Sequence, residues 1–207
     1  MPTTSIDPPR KSAATLADLG ELTARWLEGE IPEIPSYRGG PDPETAPLVP
    51  VLAAANRAGF VTVCSQPGTN PDTGYDGATW VQRAAVDGVC DMATAQRLVW
   101  AANRAGLRAI VAPARAEDDQ RVEVTLRNDE PYTFFGVRAW PEIAREFGAE
   151  DNNTLREVIG ASYQVTLIDP EYGAGEALWE LLAAALAAGA GTREQVGPGE
   201  PEIGLLP

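Results

Sequence analysis

The stretch Asn56-Arg57-Ala58-Gly59-Phe60-Val61-Thr62-Val63-Cys64-Ser65-Gln66-Pro67 reads as a helix end, a glycine joint and a strand. Gly59 suits the position after a helix, where the backbone turns left-handed. Phe60 to Cys64 is a short β-type run. Working backwards, Asp42 is placed to cap a helix, Pro43 takes its first position and Glu44 its first turn. That helix is expected to run to about Ala58, with a kink at Pro50. Working forwards, Ser65 to Gly77 carries Pro67-Gly68, Asn70-Pro71 and Asp76-Gly77 and reads as loop. The joint recurs 47 residues on, as Ala102-Asn103-Arg104-Ala105-Gly106. Both copies end a helix and feed a strand closed by a proline.

The remaining chain follows the same alternation. Leu16, Leu19, Leu22, Trp26 and Leu27 give a helical stripe over 14–28, and 30–43 is Pro/Gly-rich loop. Thr79–Val89 is read as a strand, and Asp91 caps a helix over Met92–Ala105. Strands are expected at Leu107–Ala112, Val122–Leu126, Tyr132–Val137 and Tyr163–Ile168, with a turn at Asn128-Asp129. Short helices are expected at Trp140–Phe147 and Asn153–Ile159, and a longer one at Gly175–Ala188. The fold class is therefore α/β, one domain of mixed helices and strands over 14–188. Residues 1–13 and 189–207 are expected to be flexible ends.

Composition bounds the chemistry. The 207 residues carry 30 acids against 16 bases, for a net charge of −14. Phosphate affinity comes from clustered Lys and Arg, so direct nucleic-acid or anionic-membrane binding is not expected. Histidine is absent, which removes His-based triads, His zinc sites and any His pH switch. The single lysine is Lys11, and the two cysteines, Cys64 and Cys90, are too few for a thiolate metal site. No metal is expected. Met1–Lys11 lacks the apolar core of a signal peptide, and Ala177–Ala190 is too short and Ala-rich to span a bilayer. A cytoplasmic location is the expectation.

No P-loop, Rossmann fingerprint or nucleophile elbow is present. Two segments stand out, Asp42-Pro43-Glu44-Thr45 at a helix start and Thr62-Val63-Cys64-Ser65-Gln66-Pro67 at a strand exit. In α/β proteins, ligands sit where strand exits face helix starts. Thr62 and Ser65 offer hydroxyls, and Glu44 offers a carboxylate for an ammonium, a ribose diol or a sulfonium. Each has an ordinary reading as well. Glu44 favours a helix dipole, Thr62 suits a strand and Ser65 suits a turn.

Glu44-Thr45, the following helix and the run 56–67 resemble the C-terminal regulatory domain of eukaryotic methylenetetrahydrofolate reductase. That family has a Glu-Thr pair, a helix ending in a VNRQG-like joint and an LTINSQP strand. Val81-Gln82-Arg83-Ala84, Tyr132–Val137 through Ile143, and Ser162–Asp169 through Leu178-Trp179 continue the likeness in order. The resemblance covers about residues 40–187. It implies a domain that binds S-adenosylmethionine or S-adenosylhomocysteine, with ligand roles for Glu44, Thr45, Thr62, Ser65 and Thr133. Two positions depart from the pattern. Asp42 stands where the family has alanine, and Arg145-Glu146-Phe147-Gly148 stands where it has a further ligand threonine. The family's flavin-bearing barrel does not fit in the remaining chain, so neither reductase activity nor flavin is expected. The expected function is a stand-alone binding protein that senses or sequesters the ligand, with a protein partner as receiver of the signal. The alternatives are an acidic interaction protein that imitates nucleic acid, and an enzyme that consumes S-adenosylmethionine.

Overall fold

The computed structural model describes residues 13–117 and 119–190. The expected flexible segment 1–13 and tail 189–207 lie outside the described residues, except at their inner ends. Ala13 is buried at 4% exposure, and 189–190 complete the last helix.

In chain order the elements are α1 (Leu16–Leu27), a 3-10 helix (Pro43–Leu48), α2 (Val49–Arg57), β1 (Val61–Thr73) and β2 (Thr79–Cys90). They continue with α3 (Met92–Ala105), β3 (Arg108–Pro113), β4 (Gln120–Arg127), β5 (Glu130–Val137), α4 (Trp140–Glu146), α5 (Asn153–Gly160), β6 (Tyr163–Ile168) and α6 (Ala177–Ala190). The mixed α/β class is thus observed, as a single domain. Among the described residues, no helix is long and apolar enough to cross a membrane.

The caps are local chemistry. Thr15 accepts from the Asp18 amide, Asp91 from Thr94 and Asn152 from Leu155, each satisfying a free N–H at a helix start. At the other end, the Phe60 amide donates to Ala55 O at 3.0 Å and Gly59 to Asn56 O at 3.1 Å, with Gly59 at φ 95°. This is a Schellman closure. Ala102–Leu107 repeats it, with Leu107 donating to Ala102 O at 2.9 Å and Gly106 at φ 74°.

Three expectations fail. Asp42 stands at the cap position of the 3-10 helix, but its side chain makes no capping hydrogen bond. The helix drawn from Pro43 to Ala58 is split. Pro47 lies inside a tight 3-10 helix, and a separate α-helix starts at Val49 with Pro50 in its first turn. Proline has no N–H to donate, so it fits a helix start better than an interior. The loop drawn at 65–77 is instead mostly strand, because β1 continues through Pro67, Gly68 and Pro71 to Thr73. β1 pairs only with β2. An edge strand needs donors on one side alone, so prolines are tolerated there.

All ladders in the six-stranded sheet are antiparallel. The order is β3-β6-β2-β4-β5, with β1 also on β2. β1 runs along the whole of β2. β4 takes Trp80–Gln82 and β6 takes Ala85–Cys90, so these two share the second edge of β2. The rule that places ligands at the carboxyl ends of parallel strands therefore has no purchase here.

The core lies on both faces. Leu52, Phe60, Val86, Leu98, Leu167, Leu178 and Leu182 form one cluster under α2, α3 and α6. Val61, Val89, Ile143, Phe147, Leu155 and Ile159 form another under α4 and α5. α1 reaches both, through Trp26 and Leu19. Covering on both faces explains why β2 is buried from Ala84 to Cys90.

Candidate functional site

The 3-10 helix packs against the start of β1, and the seam encloses a small polar cavity of about 50 Å³. Thr45 comes from the 3-10 helix, and Thr62, Cys64 and Ser65 come from β1. Trp26 of α1 and Tyr37 of the 28–42 segment close it. Their rings are stacked at 5.2 Å, and the Trp26 indole donates to Gly39 O at 2.7 Å.

Thr62 and Ser65 are three apart, so a regular strand would point them to opposite faces. The register slips between Thr62, opposite Gly88, and Cys64, opposite Asp87. This bulge inserts one residue and turns both hydroxyls to the same cavity. Gly88 makes room for it, since a Cβ there would lie 2.6 Å from Val61 O.

The three hydroxyls have different neighbours. Thr62 is held by Asn56, which is fully buried. Asn56 Nδ2 donates to the Thr62 hydroxyl at 2.8 Å and to Leu52 O at 2.8 Å, and Asn56 Oδ1 accepts from the Thr62 amide at 3.0 Å. The Thr62 oxygen is thereby used as an acceptor, which leaves its O–H to donate elsewhere. Thr45, 9% exposed, and the half-buried Ser65 make no side-chain hydrogen bond within the described residues. Gln66 instead belongs to the scaffold. It donates to Arg83 O and Val124 O and accepts from Thr125.

Two of the residues expected at the site lie elsewhere. Glu44 is exposed on the 3-10 helix and does not line the cavity. Partial desolvation and the Asp42 carboxylate raise its pKa. Thr133 is half-buried on β5, paired with Thr125, and does not line the cavity either.

Behind Cys64 lies a buried ionic cluster that sequence reasoning missed. Arg138 donates to Cys64 Sγ at 3.2 Å and to Asp87 Oδ2 at 3.2 Å. Glu142 and Glu146 stand 3.7 Å from it on its outer side. Thr166 donates to Asp87 Oδ1 at 2.6 Å, and Tyr37 Oη lies 3.5 Å from Cys64 Sγ. Burial raises the Asp87 carboxyl to about 6, against the opposing pull of Arg138 and Thr166. Burial also works against the Arg138 charge, but Cys64, Asp87 and Glu146 outweigh it and keep the guanidinium protonated. Burial and Cys64 hold the Tyr37 phenol protonated well above its usual range. Nothing in the local sequence around Arg138 announces this role. The partners come from β1, β2, β6 and α4, and only the packing assembles them.

The cavity therefore combines hydroxyls, the Asp42 carboxylate and an aromatic wall, with the Arg138 guanidinium behind Cys64. It suits recognition of a polar ligand by hydrogen bonds. Among the described residues no group of three or more Cys, Asp or Glu is placed to hold a metal.

No curated protein matches the sequence. Residues 7–189 match a family model, and the chain accordingly belongs to the family described as Domain of unknown function (DUF6919).

Proposed function

We propose that this protein is a small-molecule binding module whose ligand is S-adenosylmethionine or S-adenosylhomocysteine, bound without turnover. The observation that supports this reading is the meeting of Thr45, Thr62 and Ser65 around one cavity. They come from the two segments that resemble the reductase regulatory domain. Two of the three hydroxyls have no partner of their own among the described residues. The chain has no histidine to act as a general base, Tyr37 stays protonated and the Cys64 thiol is engaged by Arg138 at 3.2 Å, which favours binding over chemistry.

Size sets the mechanism of entry. Sites for nucleoside-sized ligands run to roughly 300–1,000 Å³, and the cavity holds about 50 Å³. The ligand enters when the 30–41 segment, which carries Ile34 and Tyr37 over the cavity, swings outward. Gly29 at φ 78° precedes that segment and Gly39 at φ 99° lies near its far end, and their backbones take up such a change at little steric cost. In this reading Glu44, exposed beside Thr45 on the 3-10 helix, reaches the ligand's charged or diol groups only once the cavity has opened.

Calorimetric titration with each ligand, paired with chromatography of the mixture after incubation, tests the reading. Saturable binding with the ligand recovered intact is expected. Silence at millimolar concentration of both ligands would sink it. Conversion of the ligand would make the protein an enzyme instead. The acidic interaction protein is the reading left standing if neither ligand binds.

A further inference from the structure

Among the described residues, seven arginines are engaged by carboxylates. Arg57 is clamped by Glu21 and Glu28, Arg121 by Asp119 and Glu142, and Arg127 by Asp76. Glu176 and Glu180 are among the carboxylates left over, and they are set apart by the cleft they line. Among the described residues neither carboxylate has an ion-pair or hydrogen-bond partner. Glu176 immediately precedes α6 and Glu180 lies in its first turn, with the Glu180 amide donating to Glu176 O at 3.0 Å. Both line an open cleft of about 720 Å³.

The rest of that cleft is apolar. Pro47, Leu48 and Val51 form one wall and Pro67 the other. Trp179 closes the end between them, its indole N–H donating to Pro67 O at 3.4 Å. No lysine or arginine lines the cleft. Its rim is built from tightly apposed backbone. Gly68 sits at φ 82°, and a Cβ there would lie 2.5 Å from Gly173 O. Gly173 donates to Gln82 O at 2.9 Å, and Ala174 donates to Asn70 Oδ1 at 3.1 Å. The helix dipole explains why acids suit the start of α6. It does not explain a held, apolar cleft with two unneutralised carboxylates on its edge.

A hydrated metal ion needs converging oxygen ligands rather than proline and leucine walls. An onium ion differs, because its charge is spread over alkyl groups that tolerate an apolar wall and an aromatic ring. We infer that this cleft binds a small organic cation, a quaternary ammonium or a sulfonium, with Glu176 and Glu180 facing the charge and Leu48, Val51 and Trp179 covering its alkyl groups. S-adenosylmethionine is one member of this class, but the inference rests on the cleft and not on the hydroxyl cavity.

The test uses probes too small to be nucleosides. The ¹⁵N-labelled protein is titrated with choline and with its uncharged isostere 3,3-dimethyl-1-butanol. The Trp179 indole resonance, assigned with Trp179→Phe, reports occupancy. Choline is expected to give a saturable shift, with the isostere bound at least about tenfold more weakly. Glu176→Gln with Glu180→Gln should weaken choline about tenfold and the isostere by less than about twofold. The single variants, each a surface change, serve if the double variant melts early. A shift that does not saturate by about 50 mM choline, equal binding of the isostere, or unchanged binding in the variants overturns the inference. Choline binding without adenosyl-ligand binding would retain this cleft and sink the proposed function. Adenosyl-ligand binding sensitive to Ser65→Ala, with choline silent, would do the reverse.

Discussion

Thr62 and Ser65 carry the same functional group but answer to different partners, and substitution separates them. Thr62→Val removes the acceptor for a fully buried amide of Asn56, so it should cost about 1–3 kcal/mol of stability. Ser65→Ala deletes a hydroxyl with no partner among the described residues, so stability should stay within about 0.5 kcal/mol. Ligand affinity should fall in both, by about 0.5–1.5 kcal/mol for Ser65→Ala, and Thr133→Val should leave it unchanged. Urea denaturation and titration with S-adenosylhomocysteine on the same samples check all three. Equal affinity of Ser65→Ala and the parent would remove Ser65 from the site.

Asp87 gives a second residue-scale prediction, with its sign set by the direction of the shift. Its carboxyl is raised by burial from 3.8 to about 6. The folded state therefore holds the proton more tightly than the unfolded chain. The stability this contributes is complete below about pH 4 and is lost as pH rises through about 6. Asp87→Asn cannot lose it. Relative to that variant, the parent should lose up to about 1.4 kcal/mol per pH unit across this window. Urea midpoints from pH 4 to pH 7 measure the difference. A parent that gains stability on the variant as pH rises would show that Arg138 and Thr166 outweigh burial.

At the scale of elements, glycine is asked for two different things. Gly59 sits at φ 95°, and a Cβ added there would meet nothing within 4 Å. Gly59→Ala should thus cost only the backbone strain, about 1–2 kcal/mol. Gly68 is also left-handed, but its Cβ would press on Gly173 O at 2.5 Å and Ala84 N at 2.8 Å. Gly68→Ala should cost about 3 kcal/mol or more, because backbone on both sides must move. Guanidinium unfolding of the pair checks the order. The echoed joint makes a related point. Asn56 and Asn103 close equivalent helix ends, but Asn56 is buried against Thr62 and Asn103 is exposed. The shared letters specify a helix end, and the strand that follows decides whether the asparagine has a second task.

For the whole molecule, the charge of −14 works against the compact state through self-repulsion. The ion pairs seen, such as Arg25–Glu30 and Arg115–Glu157, are largely exposed and individually weak. Screening should therefore help more than it harms. Raising NaCl from about 10 mM to about 200 mM, which shortens the Debye length from about 30 Å to under 10 Å, should raise the melting temperature by about 2–4 °C. A fall would mean that the Arg57 and Arg138 networks dominate.

What the sequence determined by itself was most of what depends on short-range chemistry, the split at Pro47 and Pro50 being the exception. Thr15, Asp91 and Asn152 cap their helices through their own side chains. Gly59 and Gly106 end theirs, and Asn128-Asp129 turn at φ 52° and 64°. The α/β class follows from their alternation, and the hydroxyls of Thr62 and Ser65 stand out from the residues alone, whereas Thr45 enters through the family resemblance. What only the tertiary structure decided depends on partners distant in the chain. Whether Pro67 and Pro71 break a strand depends on which edge of β1 is paired. Whether Thr62 and Ser65 face together depends on a bulge set by β2. The Arg138 cluster and the carboxylate-edged cleft draw on elements far apart in the chain, and no local pattern encodes such a meeting.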